Sequence, residues 1–203
     1  MQILNIYILA IETSCDDTSC AVLNGDRLIS QITATQKIHE QYGGVVPELA
    51  SRDHQKSILP VVDLALKKAG ILLSDLSAIA ITRGPGLMGS LLVGLSFAKS
   101  LSIALQIPLI EVNHMQAHVL AHFIKDNDNK PSPPFPFICL TLSGGHTQLI
   151  KVKSYFDFDL IGETIDDAIG EAFDKAAKIL GLSYPGGPII DTLSKKGNKT
   201  RFK

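Results

Sequence analysis

The sequence has little of what would place it at a glance. It holds only three cysteines, Cys15, Cys20 and Cys139, odd in number and without a metal-ligand pattern. That points to reduced thiols in a cytosolic protein. Net charge is almost absent, −1 with a pI of about 6.6. No global basic field therefore draws the chain to nucleic acid, and RNA binding needs a local patch or a partner protein. The apolar start MQILNIYILAIETS lacks a basic n-region and runs straight into acidic residues, so it reads as a buried strand and not a signal peptide. The most apolar later stretch, near 86–98, is broken by glycine and serine and reads as too short to span a bilayer, so no membrane partner is expected. The glycine loop RGPGLMGS at 83–90 has no Walker lysine and reads as a close-packing device.

What is present is ordinary globular composition, with 45% hydrophobic and 19% charged residues over 203 positions, enough for one domain or two small ones. Three strand-like runs come first: residues 3–12, TSCAVL at 18–23, and LISQITAT after the hairpin signal NGDR. QKIHEQYGG then reads as a loop. A helix follows from Pro47 toward a C-cap at Gly70, with Pro60 expected to bend or split it. The strand LSAIAITRG, a small-residue helix at 88–105 and the strand PLIEVN complete an α/β layered domain with a mixed sheet. DNDNKPSPPFP, residues 126–136, reads as a linker. It divides the chain into a first domain, 1–130, and the start of a second, incomplete one, 131–203.

After the linker the pattern restarts with strand, tight turn and strand in FICLTLSGGHTQLIKVKS, and a third strand in FDLIGET. An amphipathic helix over IDDAIGEAFDKAAKILG follows, with Ile165, Ala168, Ile169, Ala172, Phe173, Ala176 and Leu180 on or near one face and Thr164 or Asp166 as N-cap. The two openings, LAIETSCDDTSCAVL and LTLSGGHTQLIKV, have the same strand–turn–strand layout and read as an internal repeat. Two such turns facing one another would clamp a phosphate. This is the architecture of the actin-like ATPase and sugar kinase (ASKHA) group, an analogy of fold that says little about function.

Several residue groups can carry chemistry. His114, His118 and His122 fall at i, i+4 and i+8, and neutral imidazole is a common transition-metal ligand. Met115 stands where a zinc protease needs glutamate, and two histidines need further ligands. For His122 a plain helix-face position is favoured. In SGGHT, Gly144 and Gly145 permit positive φ and close approach, while Thr141 and Ser143 bring hydroxyls; an ordinary hairpin turn reads equally well. Glu12, Asp16 and Asp17 can hold Mg2+, orient a nucleophile, or simply form a turn. YPGGP, 184–188, reads as a rigid turn whose backbone can pack against a flat ligand such as a ribose or base, with a plain helix stop favoured.

Together and in this order, IETSCDDT, QYGGVVPELASRDH, GPGLMGSLLVG, NHMQAH, LSGGHTQL, GETIDDAIGEAFDKAAKILGL and YPGGP resemble the TsaD/Gcp family from about residue 8 to 191. The archaeal and eukaryotic relatives of that family sit in the KEOPS complex. The resemblance implies an actin-like fold and a cytoplasmic acyltransferase that moves threonylcarbamoyl from threonylcarbamoyl-AMP to N6 of the tRNA adenosine 3′ of the anticodon, giving t6A. It implies one divalent metal, Fe2+ or Zn2+, on His114 and His118, and Mg2+ accompanying the nucleotide. It makes Thr141, Leu142, Ser143, Gly144 and Gly145 the substrate loop and gives Asp174, Gly187 and Asp191 contacts to the adenylate. Glu12 and Asp16 remain candidates for a catalytic role. Implied partners are tRNA, the inactive paralogue TsaB and the ATPase TsaE. The family's metal-binding aspartate and a substrate-holding asparagine belong to later motifs that this sequence does not contain, so the 203-residue chain is expected to be nearly inactive alone. Two other readings are a truncated scaffold paralogue and a small-molecule kinase of the same superfamily.

Overall fold

The structure, a computed structural model, describes residues 5–126 and 131–201. Residues 3 and 4 of the first apolar run, 127–130 of the expected linker and the last two residues lie outside the described part. The chain forms two units, Met1–Lys37 with Val45–Pro133, and Ile38–Gly44 with Pro134–Lys203.

In the first unit, strand alternation decides which residues meet which layer. β1 (Tyr7–Glu12), β2 (Asp17–Asn24) and β3 (Arg27–Thr35) form an antiparallel meander. Helical crossovers bring β4 (Leu76–Gly84) and β5 (Leu109–Asn113) in parallel on the other side of β1, giving the order β3-β2-β1-β4-β5. Leu9 pairs with Val22 and Ile79, and Ile11 with Cys20 and Ile81. These six side chains are buried in one cluster with Ile58, Val61, Val62 and Ala65 of α1 (Pro47–Ala69). Burying each large aliphatic side chain stabilises the unit by about 1.5–3 kcal/mol. The residues between them, Ala10, Glu12, Ala21, Ala80 and Thr82, fall on the opposite face. There they line a cavity of about 500 Å3 together with residues of α3 (His114–Leu120).

α1 runs unbroken for 23 residues and ends on Gly70, whose left-handed φ of 70° suits a residue without Cβ. Pro60 does not split it. Pro60 and Lys56, whose carbonyl loses its N–H partner, both lie on the exposed side of the helix, where solvent is available to that oxygen. The expected loop at 37–42 is a 3-10 helix, Lys37–Tyr42. α2 (Met88–Leu105) carries the apolar stretch to 18 residues, and by length and composition alone it suffices to cross a membrane, which corrects the shorter reading. It packs on α1 and β4, and its small residues Ser90, Gly94 and Ala98, one turn apart, face inward. A Cβ on Gly94 would collide with the Thr13 side chain, so the residue just past β1 lies directly against the backbone of α2.

The second unit repeats the meander with β6 (Phe137–Leu142), β7 (Thr147–Ser154) and β8 (Asp157–Glu163), followed by α4 (Ile169–Ile179) and α5 (Gly186–Ser194). Ile150, Val152, Ala168 and Ala177 are its buried apolar residues. α4 begins later than the sequence pattern suggests. Ile165 lies before it, fully exposed, and Leu180 is the C-cap position. Neither Thr164 nor Asp166 caps it. Ala168 occupies the N-cap, and the Ile169 N–H donates instead to Thr147 Oγ1 of β7 at 2.9 Å. YPGGP is not a stop but the entry to α5, with Pro185 at its N-cap.

Candidate functional site

In the first unit the site begins at the end of β5. Asn113 caps α3 by accepting hydrogen bonds from the N–H groups of Met115, at 2.9 Å, and Gln116, at 3.1 Å. Met115 and Val119, one turn apart, are buried and seat the helix. His114 and His118 have the same spacing and share the neighbouring face. Their Nε2 atoms are 3.1 Å apart, with the rings nearly perpendicular at 86°. A cation bound to both at metal–nitrogen distances of about 2.0–2.1 Å would subtend roughly 95–100° across that 3.1 Å separation, between octahedral and tetrahedral values. The pair therefore fits a shared transition metal. With no cation the same distance is one N–H···N hydrogen bond. Among the described residues no group of three or more His, Cys, Asp or Glu side chains is placed to hold a metal; two imidazoles alone would leave a metal's other coordination positions to further ligands. His122 lies past the helix in the 3-10 turn Ala121–Phe123, where the i+4 spacing no longer keeps it in the row.

His114 turns its other nitrogen toward β1. Nδ1 lies 3.2 Å from Glu12 Oε2 and 3.3 Å from Ser14 Oγ. The Ser14 N–H donates to Glu12 Oε1. Burial alone would raise the Glu12 carboxyl, but hydrogen bonds from His114, Ser14 and Thr82 outweigh it and bring its pKa down to about 2. Glu12 is thus a carboxylate at neutral pH. Asp16 lies elsewhere in the turn, beside the Cys15 thiol, and its carbonyl accepts from the Gln36 N–H at 3.2 Å. Cys15 is surface-exposed, yet partial desolvation by the turn and then Asp16 push its thiol up to about 12; burial does the same for the buried Cys20. Neither offers a thiolate at neutral pH.

The turn 13–16 that holds Glu12 and Ser14 in place is fixed by residues whose role the sequence reading did not assign. His54 of α1 is fully buried; its Nε2 lies 2.9 Å from the Cys15 carbonyl and its Nδ1 2.7 Å from Thr18 Oγ1. Ser90 of α2 donates to the same carbonyl at 3.2 Å, and Thr13 Oγ1 donates to the Ser90 carbonyl at 2.9 Å. The GPGL loop closes the turn from a third side. The Leu87 N–H donates to the Ser14 carbonyl at 2.7 Å, and a Cβ on Gly86 would stand 2.6 Å from that oxygen. His54 had a visible signal: it is a lone histidine in the apolar row Ala50, Ile58, Val61, Ala65.

In the second unit Thr141 is buried near the end of β6, and Leu142 is exposed beyond it. Ser143 closes the turn: its N–H donates to the His146 carbonyl at 2.9 Å, and its Oγ accepts from the His146 N–H at 3.0 Å. Gly144 and Gly145 are exposed, and neither has the positive φ that the sequence reading allowed. The close approach occurs at Gly170 on α4 instead. Its N–H donates to the Ser143 carbonyl at 3.1 Å, and a Cβ there would lie 2.7 Å from both that oxygen and Gly144 Cα. We expect Gly170→Ala to shift the turn and destabilise the chain by about 1–3 kcal/mol, read from the urea midpoint; an unchanged midpoint would refute the contact. Asp174 Oδ1 accepts from the Gly186 N–H at 2.7 Å and so fastens the entry of α5 to α4. Gly187 and Asp191 stand one turn apart on α5, with Asp191 paired to Lys195 at 2.9 Å.

Three comparisons bear on this geometry. The family model described as TsaD: tRNA N6-adenosine threonylcarbamoyltransferase matches residues 27–203. Curated relatives carrying that enzyme name include those of Christiangramia forsetii, 67% identical over 98% of this chain and 58% of the relative, and Riemerella anatipestifer, 60% identical over 96% and 57%. The chain thus spans a little under three fifths of the length of these relatives. Among solved structures, YeaZ from Pseudomonas aeruginosa is similar at TM-score 0.53 and 20% identity, covering 78% of this chain and 66% of that one. The ethanolamine utilization protein EutJ from Carboxydothermus hydrogenoformans is similar at TM-score 0.53 and 11% identity, covering 96% and 73%. At those identities the likeness is one of fold, and it agrees with the actin-like α/β architecture expected from the sequence. With its family model covering all but the first 26 residues, the chain belongs to the TsaD family of tRNA N6-adenosine threonylcarbamoyltransferases.

Proposed function

We propose that this chain carries the histidine pair and the adenylate-binding elements of a tRNA N6-adenosine threonylcarbamoyltransferase. The observation that carries the reading is the 3.1 Å convergence of the His114 and His118 Nε2 atoms in a chain of this family. In the proposed reaction the adenine N6 amine attacks the carbamoyl carbon of threonylcarbamoyl-AMP. An N–C bond forms, the C–O bond to phosphate breaks, AMP leaves, and N6 gives up one proton. The donor is an activated anhydride, so the protein's task is to position it and balance developing charge.

One divalent cation, iron or zinc, held by the two histidines would supply Lewis acidity toward a phosphate or carbamoyl oxygen. The chain's own residues contribute to holding the donor. The exposed Gly144 and Gly145 offer backbone N–H groups to phosphate oxygens, and Gly170 fixes the turn that carries them. Asp174 shapes the start of α5; its carboxylate and that of Asp191 would take ribose or amine hydrogen bonds of the adenylate, with Gly187 beside them. The tRNA, a TsaB-like paralogue and a TsaE-like ATPase are the proposed partners, in the cytoplasm.

The test uses the chain extended to the length of its relatives, given threonylcarbamoyl-AMP and an unmodified tRNA. The expected result is one threonylcarbamoyl group on the adenosine 3′ of the anticodon, found by nucleoside mass spectrometry. Phosphorylation of a small substrate from ATP without tRNA modification would instead favour a kinase.

A further inference from the structure

We propose that Glu12 is a positioning residue for His114. It holds the Nδ1–H so that Nε2 is presented, unprotonated and correctly turned, to the cation shared with His118. The proposal rests on the metal reading above and goes one step beyond it, because it assigns Glu12 to the far side of the His114 ring and not to the cation.

The placement follows from the sheet. Alternation along β1 sends Leu9 and Ile11 into the core against α1 and sends Glu12 to the face that carries α3. Glu12 is the last residue of β1, so its carboxylate stands at the C-terminal end of the central strand, beside His114 at the start of α3. One oxygen is taken by the Ser14 N–H, which fixes the side chain; the other lies 3.2 Å from His114 Nδ1. A carboxylate can only accept hydrogen bonds, so the Nδ1 must be the donor and carries the proton. In a neutral imidazole the remaining nitrogen, Nε2, then holds the lone pair, and it is this atom that faces His118 Nε2 at 3.1 Å. The side chains of His114 and Glu12 are 23% and 30% exposed, so bulk water competes only weakly for the contact. A carboxylate behind a ligating histidine orients the ring and raises its basicity, and losing it typically lowers metal affinity 10–100-fold.

The test compares the wild-type 203-residue chain with Glu12→Ala and Glu12→Gln. Histidine 15N NMR without metal reads the tautomer of His114, and competition of Zn2+ against a chromophoric chelator reads affinity. Circular dichroism confirms that each variant is folded. The wild type is expected to show His114 protonated at Nδ1. In Glu12→Ala the proton moves substantially to Nε2 and Zn2+ affinity falls by about 10–100-fold, with Glu12→Gln in between because it keeps one acceptor oxygen. A folded Glu12→Ala chain with the same tautomer and the same affinity would overturn the proposal. Should Glu12→Ala not fold, the same two readings on Glu12→Gln decide. If the wild type takes up no Zn2+ at all, the metal reading falls, and the tautomer shift alone judges the positioning role.

Discussion

Replacing either His114 or His118 with alanine is expected to lower the chain's affinity for Zn2+ or Fe2+ by at least about 100-fold, more than the loss of an outer partner. Two nitrogens 3.1 Å apart would act as a chelate: with one bound, the other would already be at ligand distance. A single imidazole has no such advantage. At about 1.4 kcal/mol per tenfold, the expected loss is on the order of 3 kcal/mol or more for each substitution. The double variant should be little worse than either single one, because the two ligands work as a unit. His122→Ala is the control and should leave affinity unchanged, since its side chain sits on the following 3-10 turn. Isothermal titration of these four variants beside the wild type checks this. Full metal uptake by His114→Ala would refute the shared site.

The second large effect is structural. His54→Ala is expected to destabilise the chain by about 3–5 kcal/mol, a large part of the 5–15 kcal/mol typical of a domain. The imidazole is fully buried, so its removal leaves a ring-sized cavity. It also strands the Thr18 hydroxyl, which is itself fully buried. The Cys15 carbonyl suffers less, because Ser90 still donates to it. His54 stitches α1 to the β1–β2 turn, and that turn sets Glu12 and Ser14 beside His114. Urea unfolding followed by circular dichroism should show the lost stability, and Zn2+ affinity should fall with it. A midpoint change worth less than about 1 kcal/mol would contradict the stitching role.

These residues also show what could be read from the sequence. The histidine pair was legible because i and i+4 on a helix are neighbours whatever the rest of the chain does. The meanders were legible from alternation and from the NGDR and SGG turns. Glu12 was recognisable as a candidate but not its task, since its partner His114 stands 102 positions away and only the register of β1 with β4 and β5 brings them together. The start of α4 was misplaced for a similar reason. Thr164 and Asp166 look like caps, yet the acceptor for the Ile169 N–H comes from Thr147 on β7. Pro60 looked like a break in α1, but an exposed carbonyl can be left to water. YPGGP looked like a stop because local turn chemistry is the same whether a helix ends or begins there. Asp174, twelve positions earlier, makes it a beginning.

The central claim is that His114 and His118 bind one cation together through Nε2. X-ray absorption at the zinc edge of the Zn2+-loaded chain tests it most directly. The account predicts two imidazole nitrogens at about 2.0–2.1 Å, with the ring scattering pattern of histidine, and one fewer imidazole in either His114→Ala or His118→Ala. A shell of oxygen atoms alone, the same in wild type and variants, would contradict it.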